Sequence, residues 1–228
     1  MSLTLPERLE AVRTRIALAE AKAGRPPQSV QLIAVSKTQP STLIAEAVAA
    51  GQRHFGENYL QEALAKQSEL ANIPDLVWHF IGPIQSNKTA PIAAHFDWVH
   101  SVDRLKIAQR LSEQRPGELA PLSICLQVNV SEEASKSGVS LTELPDLAAA
   151  VAQLPHLRLR GLMAIPAPSD DPASQPLPFR MLRQALENLD LPGLDTLSMG
   201  MSDDLEAAVQ EGATFVRIGT AVFGRRLG

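Results

Sequence analysis

The sequence lacks several features that would place it in a specialised class of protein. It has one cysteine, Cys125, in 228 residues, so no internal disulfide can form. Its 21 lysines and arginines against 25 aspartates and glutamates leave no positive surplus for nucleic acid or an anionic membrane. No apolar run approaches the ~20 residues of a membrane span, and the charged N-terminus has no signal-peptide core. These absences predict a cytoplasmic globular protein that binds neither nucleic acid nor membrane.

Aromatic residues are scarce at 4%, although hydrophobic residues reach 45%. Short apolar runs of strand type alternate with helix-forming stretches along the chain, which calls for a parallel sheet with right-handed crossovers. Eight such units fit a closed (β/α)8 barrel of TIM type in a single domain, 1–228, with an extra helix at roughly 5–23 before the first strand. A doubly wound open sheet is the alternative. The predicted strands are 30–36, 53–57, 77–82, 97–102, 122–130, 157–165, 195–201 and 214–219.

The predicted strand ends carry side chains that could build a site. Active sites of (β/α)8 barrels lie at the C-terminal ends of the strands. The stretch "VQLIAVSKTQP" runs from a buried strand directly into Lys37, which is either a solvated strand end or a working amine. His79 lies within the third strand and is either a satisfied core histidine or part of the site. Other polar or sulfur-containing residues at strand ends are Glu57, Asn58, Asp103, Asn129, Met163, Ser198 and Arg217.

The last two strand ends resemble a phosphate-binding corner. "LSMGMSDD" and "VRIGTAVFG" follow strands seven and eight, where many such barrels bind phosphate. Glycines there would let backbone N–H groups approach an anion, and a serine and a threonine, each expected at a helix start, would add hydroxyl donors. Against this, Asp203 and Asp204 would repel a phosphate, and the serine could be only a helix cap. The candidate residues are Gly200, Met201, Ser202, Gly219 and Thr220.

A lysine and a phosphate corner in one barrel suggest a phosphorylated aldehyde or ketone as the ligand. Lysine amines form Schiff bases with such carbonyls. Two ligands fit on chemistry alone, namely pyridoxal phosphate and the substrate of a sugar-phosphate aldolase.

The chain resembles the pyridoxal phosphate homeostasis protein family, also called the proline synthase co-transcribed homologues. The resemblance implies a monomeric barrel similar to the N-terminal domain of alanine racemase, with pyridoxal 5'-phosphate held as a Schiff base on Lys37. It also implies a role in keeping the free cofactor available and harmless. The matching motifs, from about residue 30 to 224, are "AVSKTQP", "HFGENYLQEA", "WHFIGPIQSNK", "SVDRLKIA", "VNVSEEASKSG", "RGLMAIP" and "LSMGMSDDLEAAVQEGATFVRIGTAVFG".

The resemblance also assigns positions around the cofactor. Arg217 would face the pyridine nitrogen, as its counterpart does in racemase-like sites, and would disfavour protonation of that nitrogen. Asn58, His79 and Met163 are candidates to flank the ring. Ser198, at the end of strand seven, is a further candidate cofactor-binding residue. The resemblance implies no role for the loop 166–178, and the composition of its low-complexity stretch, 166–176, favours a mobile loop over a lid.

Three functions compete at this point: a cofactor-handling protein, a racemase-like pyridoxal phosphate enzyme, and an aldolase without cofactor. The resemblance favours the first, with transient acceptor apo-enzymes as partners. Racemisation needs an acid/base group on each face of the cofactor, and in racemase-like enzymes the second is a tyrosine from another domain. The single tyrosine, Tyr59, does not match that group by position, and the chain ends four residues after "VFG". We therefore expect no efficient turnover.

Overall fold

A computed structural model of the chain describes residues 3–131, 137–169, 171 and 173–224. Its centre is a closed barrel of eight parallel strands in chain order, with the last strand paired to the first. The predicted (β/α)8 barrel is confirmed. The strands are β1 (Gln31–Val35), β2 (His54–Glu57), β3 (Val77–Phe80), β4 (Trp98–Val102), β5 (Leu122–Gln127), β6 (Leu157–Met163), β7 (Thr196–Ser198) and β8 (Phe215–Ile218).

Helices connect the strands and surround the barrel. The extra N-terminal helix is confirmed; it begins with a capping box between Thr4 and Glu7 and packs against the helix after β1 and the two helices that flank β8. The helices are α1 (Leu5–Lys22), α2 (Ser41–Ala49), α3 (Leu60–Glu69), α4 (Thr89–His95) after a 3-10 turn (Ser86–Lys88), α5 (Leu105–Gln114), α6 (Leu144–Ala152), α7 (Pro176–Glu187), α8 (Leu205–Gln210) and α9 (Thr220–Phe223). None of the described helices is long and apolar enough to cross a membrane.

The apolar residues form two layers, one on each side of the sheet. The larger layer lies between the strands and the helices. Because alternate strand residues point to opposite faces, a second cluster fills the barrel interior. Burial raises the pKa of the Cys125 thiol to about 12, so the thiol stays protonated and unreactive at neutral pH. The interior cluster consists of Ile33, Trp98, Cys125, Met163 and Phe215.

The segment after β7 differs from its predicted form. The strand was expected to run to residue 201, but it ends at Ser198 because the backbone turns at Gly200, where φ is +96°. The Asp204 carboxylate accepts a hydrogen bond from the Met201 N–H at 2.6 Å and closes this turn. Helix α8 therefore begins only at Leu205, so the prediction that Ser202 starts a helix is wrong. The corresponding prediction for Thr220, the first residue of α9, is confirmed.

Candidate functional site

The C-terminal end of the barrel carries an open cavity of about 690 Å³. Val35, Ile81 and Ile165 give it apolar walls, while Lys37 and Arg217 supply positive charge. Since low-dielectric walls strengthen electrostatic interactions, the cavity suits a partly apolar ligand that carries anionic groups. The predicted site residues that line it are Lys37, Asn58, Met201, Ser202, Arg217, Gly219 and Thr220.

The turn that carries Lys37 is fixed by buried polar groups on helix α3 and strand β2. On the N-terminal side of Lys37, Lys66 Nζ donates to the Ser36 carbonyl oxygen at 2.8 Å and to Glu57 Oε1 at 2.8 Å. The Ser36 hydroxyl donates to the same carboxylate oxygen at 2.6 Å. Burial raises the pKa of Glu57, and the hydrogen bonds from Lys66 and Ser36 oppose that rise. The cluster thus holds the backbone directly before Lys37.

The C-terminal side of Lys37 is held by the same helix. Thr38 has a φ of +63°, a conformation that costs a β-branched residue free energy. Its N–H donates to Glu62 Oε2 at 2.9 Å, and Glu62 also pairs with Lys66 at 3.2 Å. One ion-pair network therefore fixes the backbone on both sides of the candidate amine.

Arg217 is buried at the end of β8 and is anchored from behind. Its Nη1 donates to Ser198 Oγ at 2.7 Å and its Nη2 to the Ala164 carbonyl oxygen at 3.0 Å. Burial lowers the pKa of Arg217 to about 10, against a raising effect of Asp204. The guanidinium therefore stays charged at neutral pH, and its position in the cavity wall is fixed by two hydrogen bonds.

The loops after β7 and β8 meet at this cavity, and they are joined there by a residue that the sequence did not reveal. Arg15 of α1 lines the cavity and donates to the Ser202 carbonyl oxygen at 2.8 Å. It also forms two hydrogen bonds to the Glu206 carboxylate, at 2.6 and 2.7 Å. No sequence signal marks Arg15, because it lies almost two hundred residues before the loop that it contacts. Of the two aspartates expected to repel a phosphate, Asp203 lines the cavity.

The two glycines of this corner have different roles. A Cβ at Gly200 would lie 2.6 Å from the Ala208 Cβ, so the turn and helix packing both require glycine there. A Cβ at Gly219 would meet only Val35, at 3.5 Å, which is an ordinary contact. Packing within the chain therefore does not explain Gly219, whereas close approach of a ligand to the backbone would.

Four predicted site residues do not line the cavity. Ser198 lies behind Arg217, and Gly200 belongs to the supporting turn. Met163 is fully buried in the barrel interior. His79 is also fully buried, and each of its ring nitrogens is within hydrogen-bonding distance of another histidine. The geometry therefore favours the satisfied core histidine for His79 and places Met163 below the cavity floor.

The closed (β/α)8 barrel, with Lys37 and Arg217 at one mouth, has the fold of the alanine racemase N-terminal class. Residues 8–226 match the family model described as alanine racemase, N-terminal domain. The chain belongs to this family and, within it, groups with the pyridoxal phosphate homeostasis proteins. It is 67% identical to the pyridoxal phosphate homeostasis protein of Pseudomonas aeruginosa over 98% of this chain and 96% of that protein. Identity to the Escherichia coli K12 protein of the same name is 54%, over 96% and 95%.

Solved structures agree with this grouping. PipY of Synechococcus elongatus PCC7942, solved with PLP bound, has a TM-score of 0.84 and 42% identity, covering 97% of this chain and 100% of that one. The same protein without PLP gives a TM-score of 0.86. Alanine racemase from Corynebacterium glutamicum has a TM-score of 0.66 at 19% identity, and 62% of it is covered, so it shows the shared fold alone.

Proposed function

We propose that this protein binds pyridoxal 5'-phosphate on Lys37 and serves pyridoxal phosphate homeostasis, exchanging the cofactor instead of using it for turnover. The observation that carries the proposal is that Lys37, Arg217, Ser202 and Thr220 line one cavity. Relatives at 67% and 54% identity bear the homeostasis name, and PipY has been solved with PLP bound.

The residues of the cavity fit this cofactor in chemistry and in charge. When bound, pyridoxal phosphate supplies an aldehyde, and the Lys37 amine would condense with it to form a Schiff base and release water. Arg217, charged and anchored, would donate to the pyridine nitrogen and disfavour its protonation. The hydroxyls of Ser202 and Thr220 would donate to the phosphate. The buried Oδ1 of Asn58 has no hydrogen-bond partner among the described residues, which suits a side chain that completes its bonding on a ligand.

The shape of the site supports exchange. The cavity is open, so water can reach Lys37 and hydrolyse the Schiff base, which returns the aldehyde and the free amine. A second amine, such as that of an acceptor apo-enzyme, could instead add to the same carbon and displace the Lys37 amine, which would be released free. Protected turnover requires that water be excluded, and no described segment covers this mouth.

Absorbance of the purified protein tests the proposal. The protein should show a visible band that borohydride removes, with the reduced adduct on Lys37. Lys37→Ala should lose both the band and the adduct, whereas Lys106→Ala, an exposed lysine of α5, should keep them. An adduct on Lys66 or Lys88 would refute the assignment. A colourless protein that binds a sugar phosphate would favour the aldolase. Lys136, the remaining candidate in the matching motifs, lies outside the described residues.

Three further parts of the proposal concern the protein in the cell. We propose a cytoplasmic location, a monomeric state and transient contact with acceptor apo-enzymes. Cell fractionation, light scattering of the eluting protein, and transfer of radiolabelled cofactor to an apo-transaminase test them in that order. A stable dimer would contradict the monomer, and transfer no faster than release into buffer would contradict direct contact.

A further inference from the structure

Three histidines on successive strands form a line through the barrel interior. His54 Nδ1 lies 2.9 Å from His79 Nε2, and His79 Nδ1 lies 2.9 Å from His100 Nε2. His100 Nδ1 lies 2.7 Å from Ser198 Oγ. The His79 ring also stacks on Trp98 and meets Phe215 edge-on, so apolar rings hold its plane. The imidazoles are therefore linked nitrogen to nitrogen in one direction.

The line connects the two ends of the barrel. At its upper end Ser198 accepts a hydrogen bond from Arg217, which lines the candidate cofactor cavity. At its lower end His54, the first residue of β2, is half-buried and lines a separate groove between α1 and the strand starts. The charged residues that line this groove beside His54 are Glu10, Arg13, Glu20 and Arg53. Hydrogen bonds thus run from the cavity to the opposite face.

Chemistry fixes the direction of these bonds. Burial lowers the pKa of His79 well below its usual value and, with Arg217, that of His100 to about 3. Each ring is therefore neutral and has one N–H donor and one acceptor nitrogen. Arginine can only donate, so Ser198 accepts from Arg217 and its own hydrogen is available for His100 Nδ1. If His100, His79 and His54 all carry their protons on Nε2, the Ser198 hydrogen and every N–H···N contact in the line have a partner, whereas the reverse direction leaves the Ser198 hydrogen without one among the described residues.

We propose that Ser198, His100, His79 and His54 are positioning residues that form a one-way hydrogen-bond chain, which orients Arg217 and couples it to the proton state of His54. The coupling to a bound cofactor rests on the proposed function, because it requires that Arg217 face the pyridine ring. The hydrogen-bond chain itself rests only on the four side chains and Arg217.

Because the hydrogen bonds all run in one direction, protonation of His54 at the lower end changes the hydrogen bonds of Ser198 at the upper end. His54 can take a second proton only on Nδ1, which already accepts from His79. Protonated His54 must instead donate to His79, so His79 and His100 shift their protons to Nδ1 and His100 donates to Ser198. Ser198 then accepts from both His100 and Arg217, and its own hydrogen loses its partner. Protonation of His54 at the groove therefore disturbs Ser198, which accepts the hydrogen bond from Arg217.

The chain can be tested in the cofactor-free protein by long-range ¹H–¹⁵N NMR of ¹⁵N-labelled histidine. We expect His54, His79 and His100 in the Nε2–H tautomer at neutral pH. Ser198→Ala should convert His100 to a mixture of tautomers, and His156→Asn, at an exposed histidine with a φ of +62° that asparagine tolerates, should change none of them. A proton on Nδ1 of His79 or His100 in the parent protein overturns the proposal, as do unchanged resonances in Ser198→Ala.

The coupling is tested by acid titration of the visible spectrum of the loaded protein. His54→Asn keeps an acceptor oxygen near the position of Nδ1 but cannot titrate. The parent should show an acid-side spectral change that tracks the His54 NMR titration, and His54→Asn should lose it while His156→Asn keeps it. Identical titrations of parent and His54→Asn overturn the coupling. Failure of the proposed function is distinguishable, since it would appear as no visible band beside intact tautomers in the cofactor-free protein.

Discussion

At the scale of single residues, the buried histidines determine how stability responds to acid. The unfolded chain binds a proton on each histidine below pH 6.5, whereas folded His100 does so only near pH 3. The unfolded state thus holds more protons in this window, and stability rises with pH through it and is lost on acidification. Each buried neutral histidine contributes up to about 1.4 kcal/mol per pH unit.

Urea unfolding at pH 7 and pH 5 checks this prediction. The free energy of unfolding of the parent should be lower at pH 5 than at pH 7. For His100→Gln the decrease should be about 1–2 kcal/mol smaller, because the variant lacks one group that takes up a proton on unfolding. The exposed-site variant His156→Asn should follow the parent. A pH dependence in His100→Gln equal to that of the parent contradicts the assignment of a neutral buried ring.

Arg217 gives a second prediction at this scale. Arg217→Glu would bury a carboxylate beside the Ala164 carbonyl oxygen and near Asp204, and should cost about 3–5 kcal/mol in unfolding free energy. Arg217→Gln is neutral and can still donate one hydrogen bond, so it should cost less and retain the fold. If Arg217 faces the pyridine nitrogen, the glutamine variant shifts the pH dependence of the visible band. A band and titration equal to the parent's would mean that Arg217 does not face the ring.

The sequence indicated these residues unequally. Lys37 and Arg217 stand out because each ends an apolar strand, where a barrel builds its site. The histidine chain was not predicted, although His54, His79 and His100 each fall within a predicted strand. Strand parity shows that a residue points inward, but the height at which neighbouring rings meet depends on the stagger of the closed barrel. Arg15 was missed for a similar reason, since only the packing of α1 brings it to the mouth.

At the scale of elements, helix α3 and strand β2 hold the turn that carries Lys37, and this can be measured. Lys66 is 6% exposed and Glu57 has no exposed surface, so Lys66→Met leaves a buried carboxylate without its cation. We expect a loss of about 3–5 kcal/mol. The double variant Lys66→Met with Glu57→Leu should recover most of this stability but still release the cofactor faster, because Ser36 has lost its hydrogen bonds to both of these side chains.

Urea unfolding and the rate of cofactor loss on dialysis give the two readouts for these variants. Glu187→Gln, which breaks an exposed helix pair with Arg183, serves as control and should change stability by no more than about 0.5 kcal/mol. Cofactor release at the parent rate in the stable double variant would show that the cluster contributes to folding alone.

The loops after β7 and β8 give the prediction for the phosphate corner. Charge-assisted hydrogen bonds contribute roughly 1.5–3 kcal/mol each, so Ser202→Ala with Thr220→Ala should weaken cofactor binding by at least about tenfold. Arg15→Ala should have a smaller effect in the same direction, because it frees the Ser202 backbone. Ser140→Ala, before α6 and outside the cavity, is the control. Equal dissociation constants for the parent and the double variant would show that the phosphate does not bind at this corner.

The order of elements was predictable and their ends were not. Eight apolar runs between helical stretches indicate eight parallel strands because parallel strands are buried on both faces and leave a continuous hydrophobic signal. The end of β7 and the start of α8 depend on Gly200 and on the side chain of Asp204, which closes the turn. Asp204, which counted against a phosphate site in the sequence, thus holds the backbone of this turn, a role that composition does not reveal.

At the scale of the whole molecule, the acid/base groups around the cavity limit what chemistry it can perform. Racemisation needs one such group on each face of the cofactor, and each group contributes typically 10²–10⁴-fold. Lys37 can serve one face. The single tyrosine, Tyr59, is 53% exposed at the start of α3 and does not line the cavity. Among the described lining residues, Asp203 is the one carboxylate, and His79 lies below the floor with both ring nitrogens engaged.

We therefore predict no efficient amino-acid racemisation or transamination by the loaded protein. A panel of L- and D-amino acids followed by chiral chromatography should show turnover far below the ~10 per second that is the median for enzymes. Asp203→Asn tests the one remaining group: any slow racemisation that depends on it should fall by about 10²-fold or more, whereas Asp146→Asn, on the remote helix α6, should not change it. Turnover of several per second on any amino acid would instead establish the racemase-like enzyme and overturn the homeostasis proposal, because that rate requires an effective acid/base group on each face of the cofactor.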